Sequence, residues 1–266
     1  MTPSVEPLQG VIDQQKCNTV FENKMTEATQ IQAMLERNQV VPVIVLARSR
    51  TGSNLLVSLL NSHPQIRVRG EKCSRLAGRE VGEVLLEAFS TRSPRVRIAG
   101  FKVFYYHPND DSSETLWQIL LGLSGLKVIH LKRENILKTL VSRKIASVED
   151  VWKNKGESQQ ERSQELPTVR FSEKELADGF AQTRAWENWG EELFQHQPTF
   201  SLTYEDLVQQ RREMMSRVFA FLGVDDFGTE TVLEKQNTRS LHEVIENYEE
   251  LRSAFTESPW SRFFSD

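Results

Sequence analysis

One stretch has the residue types and spacing to bind an anion: Ala47-Arg48-Ser49-Arg50-Thr51-Gly52-Ser53-Asn54-Leu55-Leu56. The run before it, Val41-Pro42-Val43-Ile44-Val45-Leu46, is short, β-branched and apolar on both faces, as in a buried strand of a parallel sheet. After it, Leu55, Leu56, Leu59 and Leu60 supply the apolar face of a helix. A strand that runs straight into a helix leaves the helix's first N–H groups unpaired at the junction, where the peptide dipoles add about half a positive charge. Gly52 lets the backbone approach a ligand closely, Thr51, Ser53 and Asn54 offer short donors, and Arg48 and Arg50 add charge. Without a second site to support it, the same text describes an ordinary strand-to-helix turn capped by Ser53.

A second anion site follows the run Leu126-Lys127-Val128-Ile129-His130-Leu131. Arg133 stands at that strand's end, and the next helix buries Ile136, Leu137, Leu140, Val141 and Ile145 while Asn135, Thr139 and Ser142 share its polar face. Arg133 and Ser142 can therefore reach one ligand. Between the two sites, Glu71 in Arg69-Gly70-Glu71-Lys72-Cys73 is a carboxylate placed to take a proton from an attacking hydroxyl. Its plain alternative is a surface glutamate paired with Arg69 or Arg75. Lys102, within the strand Phe101 to Tyr106, can stabilise charge on a leaving oxygen or simply face solvent. Cys73 has no histidine fixed beside it in sequence and reads as an inert loop thiol.

These groups need a scaffold, and strands alternate with helices along the chain. Strand-like runs at Val41 to Ala47, Ile98 to Tyr105, Leu126 to Leu131 and Thr199 to Tyr204 are separated by helical patterns at Ser53 to Asn61, Arg79 to Phe89, Ser113 to Leu123 and Asn135 to Ser147. That order predicts an α/β fold with a central parallel β-sheet flanked by helices. Helices are also expected at Lys24 to Asn38, Glu173 to Gln195 and Glu205 to Leu222, with Trp186 and Trp189 on the apolar stripe of the second as core residues. We divide the chain into an arm and helix over 1–38 and one domain over 39–266, with a polar mobile loop over 148–172. The segment from Gly223 to the end is charged and aromatic and is expected to act through specific contacts, with no core of its own.

Composition narrows the class. With 266 residues, 38% of them hydrophobic, one substantial core is the default. A formal net charge of -4 gives no global basic field for nucleic acid. The two cysteines, Cys17 and Cys73, form no disulfide framework, no run reaches the length of a membrane span, and the first residues lack a leader pattern. A cytoplasmic protein is the expectation.

Arg48-Ser49-Arg50-Thr51-Gly52-Ser53-Asn54-Leu55-Leu56 and Leu131-Lys132-Arg133-Glu134-Asn135 with Ser142 resemble the two nucleotide-binding elements of sulfotransferases, above all the bacterial carbohydrate enzymes of the nodulation-factor and trehalose type. The resemblance covers Val43 to Ser142 well and extends more weakly to about Leu251. It implies a single P-loop-like domain that uses 3'-phosphoadenosine 5'-phosphosulfate as sulfuryl donor, with no metal, and a hydroxyl-bearing acceptor such as a carbohydrate or small molecule. In its terms, Arg48, Arg50, Thr51, Gly52, Ser53 and Asn54 hold the phosphosulfate, and Arg133 and Ser142 hold the 3'-phosphate. The segment at Tyr204 resembles the one whose tyrosine lies on adenine, and Lys235-Gln236-Asn237-Thr238-Arg239 the loop that closes over the donor, with Arg239 carried over. Glu71, Arg50 and Lys102 become the catalytic set. Cytosolic sulfotransferases have lysine where Arg50 stands and use a histidine base, so His107 is the rival of Glu71. A P-loop kinase would need a Lys-Ser or Lys-Thr after Gly52 and an acidic magnesium ligand at a strand end, and both are missing. A non-catalytic nucleotide-binding module stays open, as does the oligomeric state.

Overall fold

The computed structural model describes residues 14–112, 114–154, 167–228 and 239–265. In chain order the elements are α1 (Gln14–Arg37), β1 (Val41–Ala47), α2 (Ser53–Asn61), β2 (Ile66–Arg69), α3 (Val81–Phe89), β3 (Ile98–Phe104), α4 (Thr115–Gly122) and β4 (Lys127–Lys132). They continue with α5 (Ile136–Asn154), α6 (Glu173–Leu193), β5 (Thr199–Thr203), α7 (Tyr204–Gln209), α8 (Arg211–Leu222), α9 (Leu241–Val244), α10 (Tyr248–Ala254) and a 3-10 turn at Ser261–Phe264.

The strands pair in parallel in the order β2-β3-β1-β4-β5. β1 is central, with Val43 opposite both Gly100 of β3 and Lys127 of β4. Its alternating side chains feed two layers. Ile44 and Leu46 pack with Ile31 and Leu35 of α1, Leu85 and Phe89 of α3, and Leu116 and Leu120 of α4. Val43, Val45 and Ala47 pack with Leu56, Leu59 and Leu60 of α2, Leu207 of α7, and Met215 and Phe219 of α8. Full burial of each such side chain contributes roughly 1.5–3 kcal/mol.

Because every strand points the same way, all five carboxyl ends meet at one edge, where open α/β sheets bind ligands. The residues that follow β1, β2, β3, β4 and β5 there include Arg50, Glu71, His107, Arg133 and Tyr204. α6 lies across the sheet near this edge at Gly190, where a Cβ would come within 2.9 Å of Leu46 and 3.2 Å of Tyr105.

The structure differs from the sequence reading in four places. β2 is a strand of four residues that pairs only with β3 at the sheet's margin, too short to give a periodic signal. The helix expected over Glu205 to Leu222 breaks at Gln210, whose backbone leaves the helical region. Of the loop expected over 148–172, residues up to Asn154 continue α5, residues 155–166 lie outside the described residues, and Val169 bridges to Ile245. The C-terminal segment does build a core: Leu241, Val244, Tyr248, Leu251, Phe255 and Phe263 join Leu137 and Leu140 of α5 and Phe180 of α6. Charge on the outward face of these short helices hid that pattern. Among the described residues, no helix is long and apolar enough to cross a membrane.

Candidate active site

The β1–α2 loop is shaped by two left-handed residues, Arg50 at φ 69° and Gly52 at φ 88°. Such a conformation costs a non-glycine residue about 1–3 kcal/mol and persists where the surroundings hold it. Here the Arg50 carbonyl accepts from Arg133 Nη1 at 3.2 Å, and Arg50 Nε donates to Ser142 Oγ at 3.0 Å. Thr51 Oγ1 ties the turn by donating to the Arg48 carbonyl at 2.8 Å. Gly52 caps α2, and a Cβ at Gly52 would overlap the ring of Tyr204. Arg50, Arg133 and Ser142, from the segments after β1 and β4 and from α5, thus meet at the loop that leads into α2.

Tyr204 lies on this loop and also under Arg133, whose guanidinium is 4.8 Å from the ring centroid. Arg133 Nε is buried without a hydrogen-bond partner and lies 3.7 Å from Glu205 Oε1. Burial pulls the Arg133 pKa down and Glu205 opposes the shift. Glu205 also accepts from the Glu134 N–H at 3.0 Å, which fixes the turn into α5. The sequence reading passed over Glu205, though an acid directly after Tyr204 was the available signal.

Beside the loop lies a carboxylate held by a lysine. Lys102 Nζ, from a side chain only 7% exposed, is 2.9 Å from Glu71 Oε1 and donates to Asn54 Oδ1. The expected partners of Glu71 go elsewhere or do not reach it: Arg69 donates to the carbonyl of Ser90 at 2.9 Å. His107 Nε2 stands 3.9 Å from Glu71 Oε2, so both base candidates occupy one site. The segment after Glu71 is pinned by Asp110, whose carboxylate accepts from the N–H groups of Leu76 at 2.8 Å and Ala77 at 2.9 Å. Those two bonds pull its pKa down. Asp110 carried no sequence signal, because its role depends on two loops meeting.

Arg48 and Arg239 are placed differently from the others. The Arg48 guanidinium donates to Thr183 and lies 5.4 Å from the Trp186 ring centroid, both on α6. It is 4% exposed, and burial pushes its pKa down to about 10, so it stays cationic near neutrality. It does not join Arg50, Arg133 and Ser142. Arg239 donates to the Glu243 carbonyl beside the α9 capping box formed by Ser240 and Glu243, and Lys235 to Thr238 lie outside the described residues. Ser53 is buried at the first turn of α2. Trp189 packs on Trp117 at 5.0 Å, while Trp186 is half-buried against Tyr105 and Tyr106. Cys73 is buried, and its thiol is pushed up to about 12, which removes it as a nucleophile at neutral pH.

A parallel sheet that gathers two arginines, a helix N-terminus and a tyrosine at its carboxyl edge offers an arrangement suited to an anion, with the lysine-held carboxylate beside it. The family model described as Stf0 sulphotransferase matches residues 102–250, more than half of the chain. The chain belongs to the Stf0 sulphotransferase family and is a sulfotransferase. It is 29% identical over 241 residues to nodulation protein H of Rhizobium tropici, covering 84% of this chain and 92% of the relative. To nodulation protein H of Rhizobium meliloti strain 1021 it is 27% identical over 242 residues, covering 84% and 94%. A solved sulfotransferase from Alicyclobacillus acidocaldarius aligns with 80% of this chain and 90% of its own at 14% identity and a TM-score of 0.45. The sulfotransferase domain of the curacin biosynthetic pathway aligns with 76% and 81% at 15% identity and 0.42.

Proposed function

We propose that the chain transfers a sulfuryl group from 3'-phosphoadenosine 5'-phosphosulfate to a hydroxyl group of a carbohydrate or other small molecule, without a metal. The observation that carries this reading is the convergence of Arg50, Arg133 and Ser142 on the start of α2 with the Lys102 and Glu71 pair alongside. In this reading the first N–H groups of α2 and Arg50 bind the phosphosulfate, where dipole and charge both favour an anion. Arg133 and Ser142 take the 3'-phosphate, and Tyr204 offers a ring to adenine. Arg48 braces the loop from behind through α6.

The acceptor oxygen attacks sulfur as the bond from sulfur to the phosphate oxygen breaks. The hydroxyl proton passes to Glu71, and adenosine 3',5'-bisphosphate leaves with the bonding electrons. Lys102 and Arg50 supply positive charge where the leaving oxygen develops negative charge, which fixed groups do without reorganisation. A sulfuryl group carries less charge than a terminal phosphoryl group, so two cations and the helix N-terminus suffice. Two facts favour Glu71 over His107 as base. His107 Nδ1 accepts the Phe104 N–H at 3.2 Å, so the hydrogen of the neutral ring sits on Nε2 and no lone pair faces the acceptor. Glu71 is also the more exposed, with 37% of its side chain open against 2% for His107.

Calorimetric titration with adenosine 3',5'-bisphosphate in chelator, and separately with ATP and magnesium, tests the donor. Tight binding of the bisphosphate alone is expected. Preference for ATP with magnesium would replace the donor assignment with a phosphoryl-transfer one.

A further inference from the structure

His107 is more firmly held than a turn residue needs to be. Its side chain is 2% exposed and its ring packs on Phe104 at 4.9 Å and on Tyr106 at 5.3 Å. The Phe104 N–H bonds to Nδ1, which fixes both the ring rotation and the tautomer. What remains is one N–H, on Nε2, directed at Glu71 Oε2 across 3.9 Å. That distance is too long for a direct hydrogen bond. Burial pushes the His107 pKa down to about 4, with Glu71 opposing and Lys102 reinforcing the shift, so the ring is a neutral donor at working pH.

We infer that His107 is a positioning residue for the base: its Nε2–H closes onto Glu71 Oε2 and aims the carboxylate at the acceptor hydroxyl. This rests on the reading of Glu71 as base. The physical need for it follows from Lys102. Lys102 Nζ, at 2.9 Å, is the contact that orients the carboxylate. When a donor's anionic oxygens recruit Lys102, Glu71 loses that contact. The neutral N–H of His107 restores the orientation. Glu71, partly exposed on a long side chain, has the freedom to close the gap, whereas the buried imidazole does not. The titratable groups facing the carboxylate are Lys102 from β3 and His107 from the segment after it. His107 keeps its own proton throughout, and the hydroxyl proton goes to Glu71.

Variant kinetics and NMR test this. His107→Asn keeps an acceptor for the Phe104 N–H and loses the distal donor; it is expected to lower kcat about 10- to 100-fold, the scale of a misplaced catalytic group, with unchanged affinity for adenosine 3',5'-bisphosphate. Its acid limb in the pH profile of kcat, which reports the complex in which the contact is closed, shifts to higher pH, because a carboxylate that loses a donor holds its proton more tightly. His107→Gln, which returns an N–H near the Nε2 position, restores most of the rate. In the double variant with Glu71→Gln, His107→Asn adds no further loss. On the unaltered protein, nitrogen-15 NMR is expected to show His107 as the Nε2–H tautomer down to about pH 4, with the Nε2 signal shifting when the bisphosphate binds. An Nδ1–H tautomer, or a His107→Asn enzyme with wild-type kcat and acid limb, overturns the inference while leaving Glu71 as base. A Glu71→Gln enzyme at the wild-type rate overturns the base assignment itself.

Discussion

At the scale of single residues, Glu71 and Arg133 carry the assignments most open to measurement. Glu71→Gln keeps the shape and the contact with Lys102 but cannot take a proton. Turnover is expected to fall about 10²- to 10⁴-fold, the usual worth of general base catalysis, with bisphosphate affinity unchanged by calorimetry. Arg133 touches the Arg50 carbonyl and the Tyr204 ring, and its buried Nε faces Glu205 Oε1 at 3.7 Å without a hydrogen bond. Its hydrogen bonds to a charged ligand are each worth about 1.5–3 kcal/mol. Arg133→Ala is therefore expected to weaken adenosine 3',5'-bisphosphate about 10- to 100-fold and adenosine 5'-phosphate much less. Equal losses for the two ligands would mean that Arg133 supports the loop and does not read the 3'-phosphate.

At the scale of elements, the β1–α2 junction depends on Gly52 for two separate reasons. Its φ of 88° disfavours any side chain, and its missing Cβ is the space that the Tyr204 ring fills. Gly52→Ala is thus expected to cost about 1–3 kcal/mol from strain alone and to push Tyr204 off the loop. A fall of several degrees in the thermal midpoint together with weaker bisphosphate binding is the expected result; weaker binding at an unchanged midpoint would show that the loop absorbs the strain locally. The short strand β2 shows how an element can matter without a pattern of its own. Four residues paired along β3, with Arg69 opposite Phe101, bring Glu71, two residues past Arg69, to Lys102, one past Phe101. Nothing in Ile66-Arg67-Val68-Arg69 distinguishes it from a loop until β3 is beside it.

At the scale of the whole molecule, two histidines are buried in the neutral form. Burial pushes both His107 and His130 down to about 4, whereas the unfolded chain holds them near 6.5. Between those values the unfolded state binds more protons, so the stability they confer is complete above pH 6.5 and declines as pH falls toward 4, by on the order of 2–3 kcal/mol each. The thermal midpoint is expected to drop measurably between pH 6.5 and 5, above the ordinary carboxylate range, and His130→Asn should make that slope shallower. An unchanged midpoint across this interval would contradict buried neutral rings. Packing also joins parts that are far apart in the chain: Phe263, Trp260 and Phe180 pack ring against ring, and the Asn135 side chain donates to the Phe263 carbonyl at 3.0 Å. The C-terminal core therefore buttresses α5, the helix that carries Ser142.

The sequence by itself determined the parallel α/β class and singled out Arg50, Arg133 and Glu71 as candidate site residues. Each of those rests on local text, where strand periodicity, a turn and a helix start occur within a dozen residues of one another. Tertiary structure alone decided which charges meet. Arg48 and Arg50 are two residues apart in the same motif, yet one is buried against Thr183 and Trp186 while the other reaches Ser142. Strand alternation would put two such residues on one face, but the left-handed backbone at Arg50, φ 69°, breaks it, and the neighbours they meet come from α6 and α5, more than ninety residues away. The pairing of Lys102 with Glu71 and the aim of His107 have the same origin: they depend on strand register, which no single segment encodes.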